Sequence, residues 1–212
     1  PWEWWADVTP RSARAVTLAA GYDRTEAPSV QYRGIFLNDE DWGLDPWGTR
    51  YEGSSVAGEL GPKTYSRIFE LLLRLRANTI WPAMHASTVA FYKVPGNREA
   101  AERYGIVVGT SHCEPMMRNN VGEWDAERYG EYDFAANRAG VLRYWRERVL
   151  EVADDENIFT LGMRGIHDGE MAGAVTLDEQ TALTNEVIRA QRQLLSAELH
   201  RPVGDIPQTF VP

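Results

Sequence analysis

The chain alternates between short continuous apolar runs and longer stretches in which apolar residues recur every three or four positions. Continuous runs are typical of strands buried on both faces of a parallel sheet, and the periodic stretches are typical of amphipathic helices. The runs predict strands over 29–37, 78–84, 106–110, 158–162 and 206–211. The periodic stretches predict helices over 62–77, 98–104, 133–155 and 177–200.

The predicted helix over 133–155 illustrates how the pattern separates two faces. Its apolar positions are expected to face the core: Leu142, Trp145, Val149, Leu150 and Val152. Three arginines, Arg143, Arg146 and Arg148, are then expected on the solvated face, because long charged side chains are rarely buried.

The order of the predicted elements, in which strands and helices alternate, favours an α/β fold. Two architectures have this order, an open doubly wound sheet and a (β/α)8 TIM barrel. The G-x-G-x-x-G and P-loop patterns of nucleotide-binding open sheets are absent from the sequence. Charged clusters instead follow four successive strands, as they do on the catalytic face of a barrel. We therefore predict a (β/α)8 TIM-barrel catalytic domain.

The length of the chain limits how much of this barrel is present. About four and a half βα units occupy the 184 residues of 29–212, so eight units would need roughly 320 residues. We expect 29–212 to be the N-terminal half of the barrel, with strands 1–5. Residues 1–28, which include a β-like run over 14–20, are expected to be a lead-in from an upstream domain. Both ends of the sequence suggest a piece of a larger protein.

Composition then narrows the classes of function. The net charge of −9 argues against a general nucleic-acid binder, which needs a basic surface. No apolar run approaches the roughly 18–20 residues of a membrane span. The single cysteine, Cys113, excludes an internal disulfide. Eight tryptophans are an excess, and Trp42 and Trp47 are placed to stack on a sugar ring, with core packing as the alternative, above all for Trp47.

A cluster of acids follows the first predicted strand, in the segment Asn-Asp-Glu-Asp-Trp over 38–42. Side chains alternate along a strand, so Asp39 and Asp41 are expected on one face and Glu40 on the other. Neighbouring carboxylates repel, which raises at least one pKa and suits a proton donor or a water-activating base. Two alternatives stay open: an Asx-turn with solvated acids and, with weaker support, an incomplete calcium loop.

Three histidines, His85, His112 and His167, follow three successive predicted strands. They are suited either to hold a metal ion together with Asp168 or to donate hydrogen bonds to a polar ligand. Cys113, next to His112, resembles a nucleophile beside its base. Because adjacent strand residues point to opposite faces, these two are not expected to share a proton.

The fourth predicted strand leads into a turn that carries Arg164, Asp168 and Glu170. An arginine here is suited to clamp a carboxylate of a ligand with two parallel hydrogen bonds, a geometry that lysine does not offer. The alternative is an internal ion pair between Arg164 and one of the two acids.

Three segments of the sequence resemble family 115 of the glycoside hydrolases: YRGIFLNDEDWG over 32–43, HCEPM over 112–116 and GMRGIHDG over 162–169. They stand in the family's order, and the resemblance covers nearly the whole chain. It implies a (β/α)8 catalytic barrel between an N-terminal domain and C-terminal helical and β domains. It also implies an α-glucuronidase that removes (4-O-methyl)glucuronic acid, α-1,2-linked to the xylose of xylan, with inversion and without a metal.

The resemblance assigns the charged strand ends to a sugar pocket, in which Arg164 and the histidines suit a uronate carboxylate and its hydroxyls. Inversion requires a carboxylic acid and a carboxylate roughly 6.5–9.5 Å apart. One of this pair lies either in the chain or beyond Pro212. The predicted catalytic residues are Asp168, Asp41 and Asp39. The predicted substrate-binding residues are Asn38, Glu40, Trp42, His85, His112, Glu114, Arg164, His167 and Glu170.

The sequence thus predicts a fragment of an inverting glycoside hydrolase that removes (4-O-methyl)-α-D-glucuronic acid from glucuronoxylan. We expect no cofactor and no metal, and neither nucleic acid nor a membrane as partner. The partner is glucuronoxylan or a glucuronic-acid-bearing oligosaccharide, and the full-length protein is expected to form a homodimer and to be extracellular or periplasmic. Two alternatives stay open: a non-hydrolytic carbohydrate-binding fragment and a metal-dependent barrel hydrolase.

Overall fold

The computed structural model describes residues 14–38 and 40–211 of the chain. Five short strands in this part form one parallel sheet, in the order β1-β2-β3-β4-β5. The strands are β1 (Gly34–Phe36), β2 (Thr79–Trp81), β3 (Val107–Gly109), β4 (Asn157–Leu161) and β5 (Gln208–Phe210). Each strand pairs in parallel with the one that precedes it in the sequence. The predicted α/β class with parallel strands is confirmed.

Helices fill the connections between these strands, as parallel pairing requires. The described residues contain α1 (Leu44–Glu52), α2 (Pro62–Arg74), α3 (Asn97–Tyr104), α4 (Asn120–Glu123), α5 (Ala126–Tyr129), α6 (Arg138–Glu151) and α7 (Leu177–Leu199). Short 3-10 turns are formed by Glu40–Trp42, Phe91–Lys93, Pro115–Met117 and Val203–Asp205.

The longest helix, α7, begins at a local signal in the sequence. The hydroxyl of Thr176 accepts a hydrogen bond from the backbone N–H of Glu179, and the Glu179 carboxylate accepts one from the N–H of Thr176. This reciprocal capping box satisfies N–H groups that lack a partner in the first turn. The same backbone hydrogen bonds lower the pKa of Glu179. Helix α7 therefore starts one residue after its cap, at the predicted position.

Helix α6 packs into the hydrophobic core through Trp145 and Val149, both fully buried. The predicted core position of Leu150 is wrong, because its side chain is 45% exposed. Five residues beyond Trp145, a side chain points about 140° away around the helix axis, which takes Leu150 off the buried stripe. The helix also begins later than predicted, at Arg138, because the side chain of Asn137 caps it.

The β-like run over 14–20 lies in an exposed segment without regular structure, so apolar composition alone does not form a strand there. One further prediction about local structure is wrong. The acidic segment was expected to extend the first strand, but Glu40–Trp42 forms a 3-10 turn that leads into α1. Helix α1 has no counterpart among the predicted helices.

All five strands point the same way, so their carboxyl ends lie along one edge of the sheet. This edge receives the segments in which the sequence placed its charged clusters. No helix in the described part of the chain combines the length and the apolar character needed to span a membrane. The boundary proposed between residues 28 and 29 stays a prediction.

Candidate functional site

The residues at the carboxyl edge of the sheet meet around Asp168, in the turn after β4. Its Oδ1 lies 3.0 Å from His112 Nε2, 3.4 Å from Cys113 Sγ and 3.4 Å from Arg164 Nη1. Its Oδ2 lies 3.1 Å from His167 Nδ1. The side chain is nevertheless 57% exposed, so the carboxylate is both held and open to solvent.

The neighbours of Asp168 decide its ionisation. Contact with His112 first, and with the Cys113 thiol second, lowers the pKa of Asp168 below its ordinary value. Hydrogen bonds to the charged form of a carboxyl group favour that form. Asp168 is therefore a carboxylate at neutral pH, which suits the activation of a water molecule.

His112 and Cys113 both reach Asp168, against the prediction that they face opposite sides. The reason is that they lie in a turn after β3 instead of in the strand. Two hydrogen bonds hold this turn: Thr110 Oγ1 donates to the Glu114 carbonyl at 2.6 Å, and Glu114 N donates to the Ser111 carbonyl at 3.1 Å. Burial, and then the contact with Asp168, raises the pKa of Cys113 to about 12. The thiol is thus protonated, which does not suit a nucleophile.

The acids of the segment after β1 have different surroundings: Glu40 is buried and Asp41 is exposed. Glu40 is fully buried, and its Oε1 accepts hydrogen bonds from the backbone N–H groups of Met84 at 2.8 Å and His85 at 3.4 Å. It therefore fixes the loop after β2. Asp41 is exposed, and its Oδ1 lies 3.5 Å from His85 Nδ1. The prediction that Asp39 and Asp41 share one face concerns Asp39, which lies outside the described residues, so it stays a prediction.

The three histidines predicted at strand ends lie at this edge but do not converge on one point. The rings of His85 and His167 meet edge to face, with centroids 5.7 Å apart. His112 and His167 contact different oxygens of Asp168. Contacts therefore run from Asp41 through His85 and His167 to Asp168. His167 Nε2 is buried and has no hydrogen-bond partner among the described residues.

Glu114 is the second buried acid of the site. Its Oε1 accepts a hydrogen bond from Asn119 Nδ2 at 3.1 Å, and the same amide donates to the Met84 carbonyl. Burial raises the pKa of Glu114 to about 8. Glu114 is thus largely protonated at neutral pH. The Asn119 amide that donates to it also links the segment after β3 to the loop after β2.

One group of three side chains in the described part of the chain brings metal-ligand atoms together. These are His112, Cys113 and Asp168, whose ligand atoms all lie within 4.8 Å of one another. This set differs from the predicted alternative, which joined three histidines to Asp168, because Cys113 takes the place of His85 and His167.

The profile of glycosyl hydrolase family 115 matches residues 25–212, which is most of the chain. The chain belongs to glycosyl hydrolase family 115. The resemblance inferred from the three sequence segments is thereby confirmed.

A solved structure also resembles this family 115 chain. It is that of BtGH115A, described as a 4-O-methyl-alpha-glucuronidase of family GH115 with specificity for decorated arabinogalactans. The sequences are 54% identical, and the structures superpose with a TM-score of 0.90 over 98% of this chain. The match covers 27% of BtGH115A, so the chain spans about a quarter of that protein's length. No curated protein matches the chain.

The remaining predicted site residues of the family 115 chain lie around the edges of this site. Trp42 is 88% exposed beside Asp41, and Asn38 lies exposed two residues after β1. Glu170 and Arg164 line a depression together with Phe210 of β5. Trp47 stacks on Tyr51 within α1, with ring centroids 4.9 Å apart, so it packs against its own helix.

Asn120, a buried residue that the sequence patterns did not indicate, joins the two central turns. Its Nδ2 donates to the Gly165 carbonyl at 2.9 Å, and its Oδ1 accepts from the backbone N–H of His167 at 3.3 Å. Asn120 belongs to the segment after β3, whereas Gly165 and His167 belong to the turn after β4. The asparagine pair over 119–120, a polar break between apolar segments, is the only sequence signal for it.

The predicted solvated face of α6 is wrong for one arginine. Arg143 and Arg146 are exposed, but Arg148 is only 2% exposed. Its guanidinium donates to Glu123 at 2.7 Å, to Glu151 at 2.9 Å and to the Met117 carbonyl at 2.9 Å. The pairing satisfies a charge that burial would otherwise destabilise strongly. It ties the segment after β3 to α6.

Proposed function

We propose that this chain carries part of the catalytic pocket of an inverting glycoside hydrolase that removes (4-O-methyl)-α-D-glucuronic acid side groups from a polysaccharide. Membership of family 115 and the likeness to a 4-O-methyl-alpha-glucuronidase support the reaction class. The observation that carries the proposal is the exposed carboxylate of Asp168, held between two histidines and an arginine at the carboxyl edge of the sheet.

The proposed architecture is the first half of a (β/α)8 barrel. In such a barrel each parallel strand pairs with its neighbours in sequence, as β1 to β5 do. A doubly wound sheet reverses its strand order at a switch point, and no reversal occurs among these five strands. Active sites of barrels lie at the carboxyl ends of the strands, which is where Asp168 and its neighbours lie.

In the proposed mechanism, Asp168 is one of the two catalytic carboxyl groups. Because its pKa is lowered, it fits the water-activating role better than that of the proton donor. Asp41, which contacts His85 across the site, and Asp39 are the proposed partners. The uronate carboxylate requires a cation in a chain of net charge −9, and Arg164 is the arginine beside Asp168.

The polysaccharide itself is the finer part of the proposal. We propose glucuronoxylan, whereas the described specificity of BtGH115A is for decorated arabinogalactans. Both present glucuronic acid as a side group, and they differ in the sugars that flank it. Trp42, exposed beside the site, is suited to stack on such a flanking sugar. We also propose that the protein acts outside the cytoplasm, because a polysaccharide substrate is expected outside the cell. Assembly of the full-length protein as a homodimer stays a prediction.

The experiment is a comparison of uronic acid release from glucuronoxylan and from glucuronic-acid-decorated arabinogalactan by the protein that carries this chain. Proton NMR of the first product formed reports its anomeric configuration. Inversion of an α-linked group predicts the β-anomer. Release of the α-anomer would contradict inversion, and release from arabinogalactan alone would contradict xylan as the substrate. Binding of both polysaccharides without release would favour a carbohydrate-binding role, for which exposed Trp42 is the supporting observation.

A further inference from the structure

The proposed hydrolysis uses Asp168 and His112 but gives no chemical role to Cys113, whose sulfur forms a set of three metal-ligand atoms with them. His112 Nε2 and Cys113 Sγ lie 3.0 Å and 3.4 Å from the same oxygen, Asp168 Oδ1. Zinc takes imidazole nitrogen, sulfur and carboxylate oxygen as ligands at about 2.0–2.3 Å in a tetrahedron, which places ligand atoms about 3.3–3.8 Å apart. These two separations are close to the spacing that one zinc ion imposes, and the ligand atoms of all three residues lie within 4.8 Å of one another.

We propose that His112, Cys113 and Asp168 bind a zinc ion, with the fourth position open to water, and that this ion inhibits the enzyme reversibly. The inhibitory part rests on the proposed function, since it follows from the role given to Asp168. The binding part rests on the geometry of the three side chains alone.

The fold holds the three ligands in place before any ion arrives. His112 and Cys113 share one turn, which the hydrogen bonds from Thr110 to the Glu114 carbonyl and from Glu114 N to Ser111 keep closed. Asn120 connects this segment to the turn of Asp168 by its two hydrogen bonds to Gly165 and His167. A set of ligands on two cross-linked turns needs little reorganisation to bind, which favours affinity.

Burial gives the site an inside and an entrance. Cys113 is 1% exposed and forms the inner wall, whereas the Asp168 carboxylate faces solvent. An ion entering from solvent meets the carboxylate first and then the sulfur. On binding, the metal replaces the thiol proton, which leaves to solvent, and Arg164 moves off the Asp168 oxygen that it contacts at 3.4 Å. His167 keeps its contact with the other oxygen.

The chemistry of the ligands sets the selectivity. Magnesium and calcium prefer six or more oxygen ligands, and this set offers one oxygen, one nitrogen and one sulfur. We therefore expect zinc, cadmium and cobalt to bind, and magnesium and calcium not to bind. Inhibition follows because zinc occupies the lone pairs of Asp168 and of His112.

The binding test is a titration of the protein with zinc against a chromophoric chelator, using wild type, Cys113→Ser, His112→Gln and the control His200→Gln, a surface histidine at the end of α7. One zinc per chain is expected in wild type and in the control. Removing a residue that only hydrogen-bonds to a metal ligand weakens metal binding by about tenfold or more, so loss of a direct ligand should weaken zinc binding at least as much. Equal affinity in wild type and both ligand variants would overturn the site.

A spectroscopic measurement keeps the test valid if a variant fails to fold. Cobalt titrated into the wild-type protein should give the near-ultraviolet charge-transfer band of a thiolate–cobalt bond, and magnesium should not suppress it. A cobalt complex without this band would show that Cys113 is not a ligand, which would overturn the proposal.

The inhibition test compares uronic acid release with and without zinc, each variant being referred to its own zinc-free rate. Zinc should inhibit wild type, a chelator should restore the rate, and Cys113→Ser should need at least about tenfold more zinc. Zinc binding without inhibition would overturn the inhibitory role alone. Absence of any release would contradict the proposed function and leave the binding result standing.

Discussion

His112 Nε2 lies 3.0 Å from Asp168 Oδ1, although 56 positions separate the two residues in the sequence. They meet because β3 and β4 are adjacent and parallel, so that the turns after both strands open at the same edge of the sheet. This contact is the largest cause of the lowered pKa of Asp168. It makes a strongly exposed carboxyl group a stable anion at the centre of the site.

The first prediction concerns the pH dependence of activity. Replacing His112 by glutamine removes the main cause of the lowered pKa, so the pKa of Asp168 rises toward its ordinary value. If ionised Asp168 is required, activity is lost as pH falls through this pKa. The acidic limb of the pH–rate profile should therefore move to higher pH in His112→Gln. His200→Gln, at the surface, should keep the wild-type limb, and an unmoved limb in His112→Gln would contradict the role of this contact.

The second prediction is that burial of Glu114 makes the free energy of unfolding fall as pH rises. Its folded-state pKa is raised from 4.5 to about 8, so the native state holds a proton that the unfolded state has lost between these values. Unfolded chains bind fewer protons there, and the free energy of unfolding should fall as pH rises through this window. Below 4.5 and above about 8, Glu114 should contribute no slope.

The variant Glu114→Gln tests this directly, because glutamine has the shape of the protonated acid and does not titrate. Denaturant unfolding across the window should show a smaller decline with pH in the variant than in wild type. The exposed matched change Glu99→Gln should leave the decline unaltered. Parallel curves for wild type and Glu114→Gln would show that Glu114 is ionised in the folded protein.

Asn120 is predicted to matter for activity more than for folding. Asn120→Ala removes the hydrogen bonds that join the two turns and leaves buried backbone groups unpaired, which costs about 1–3 kcal/mol of stability. Asn157→Ala is the matched control, because Asn157 is equally buried but lies at the amino end of β4, away from the site. Both variants should lose similar stability, and only Asn120→Ala should lose substantial uronic acid release. Equal loss of release in both would show that Asn120 has no special link to the site.

Arg148 is expected to be essential for the fold. Arg148→Met leaves Glu123 with less charge compensation in a buried position, and breaking a buried ion pair costs about 3–5 kcal/mol. The pair of Arg146 with Glu198, in which the arginine is exposed, contributes only about 0–1 kcal/mol, so Arg146→Met should change stability little. Denaturant unfolding of both variants measures the difference. A loss below about 1 kcal/mol in Arg148→Met would show that the network does not hold this segment.

The sequence was sufficient for the features that depend on local periodicity. The apolar run over 158–162 predicts β4 to within one residue, and the cap at Thr176 marks the start of α7. The charge clusters after successive strands place Asp168 and its histidines at one edge once the strands are parallel. These features can be predicted from the sequence because each follows from residues close together in the chain.

Features that depend on distant partners could not be predicted in the same way. Arginine is usually a surface residue, and the burial of Arg148 depends on Glu123, 25 positions away. Asn120 becomes important only because its amide reaches residues 45 and 47 positions further along the chain. Glu40, in a polar run, is buried because the backbone after β2 offers it two N–H groups. Buried polar groups such as these depend on hydrogen bonds to residues distant in the sequence, and the hydrophobic periodicity does not predict such bonds.

The most direct test of the proposed function is uronic acid release by Asp168→Asn in the protein that carries this chain. Asparagine keeps the shape of the side chain but accepts no proton, and loss of a general acid or base lowers rates by about 10²–10⁴-fold. Asp154→Asn, an exposed change outside the site, is the matched control and should release uronic acid at the wild-type rate. A loss of this size in Asp168→Asn alone is the predicted result. Release within a few-fold of wild type by folded Asp168→Asn would contradict the catalytic role of Asp168.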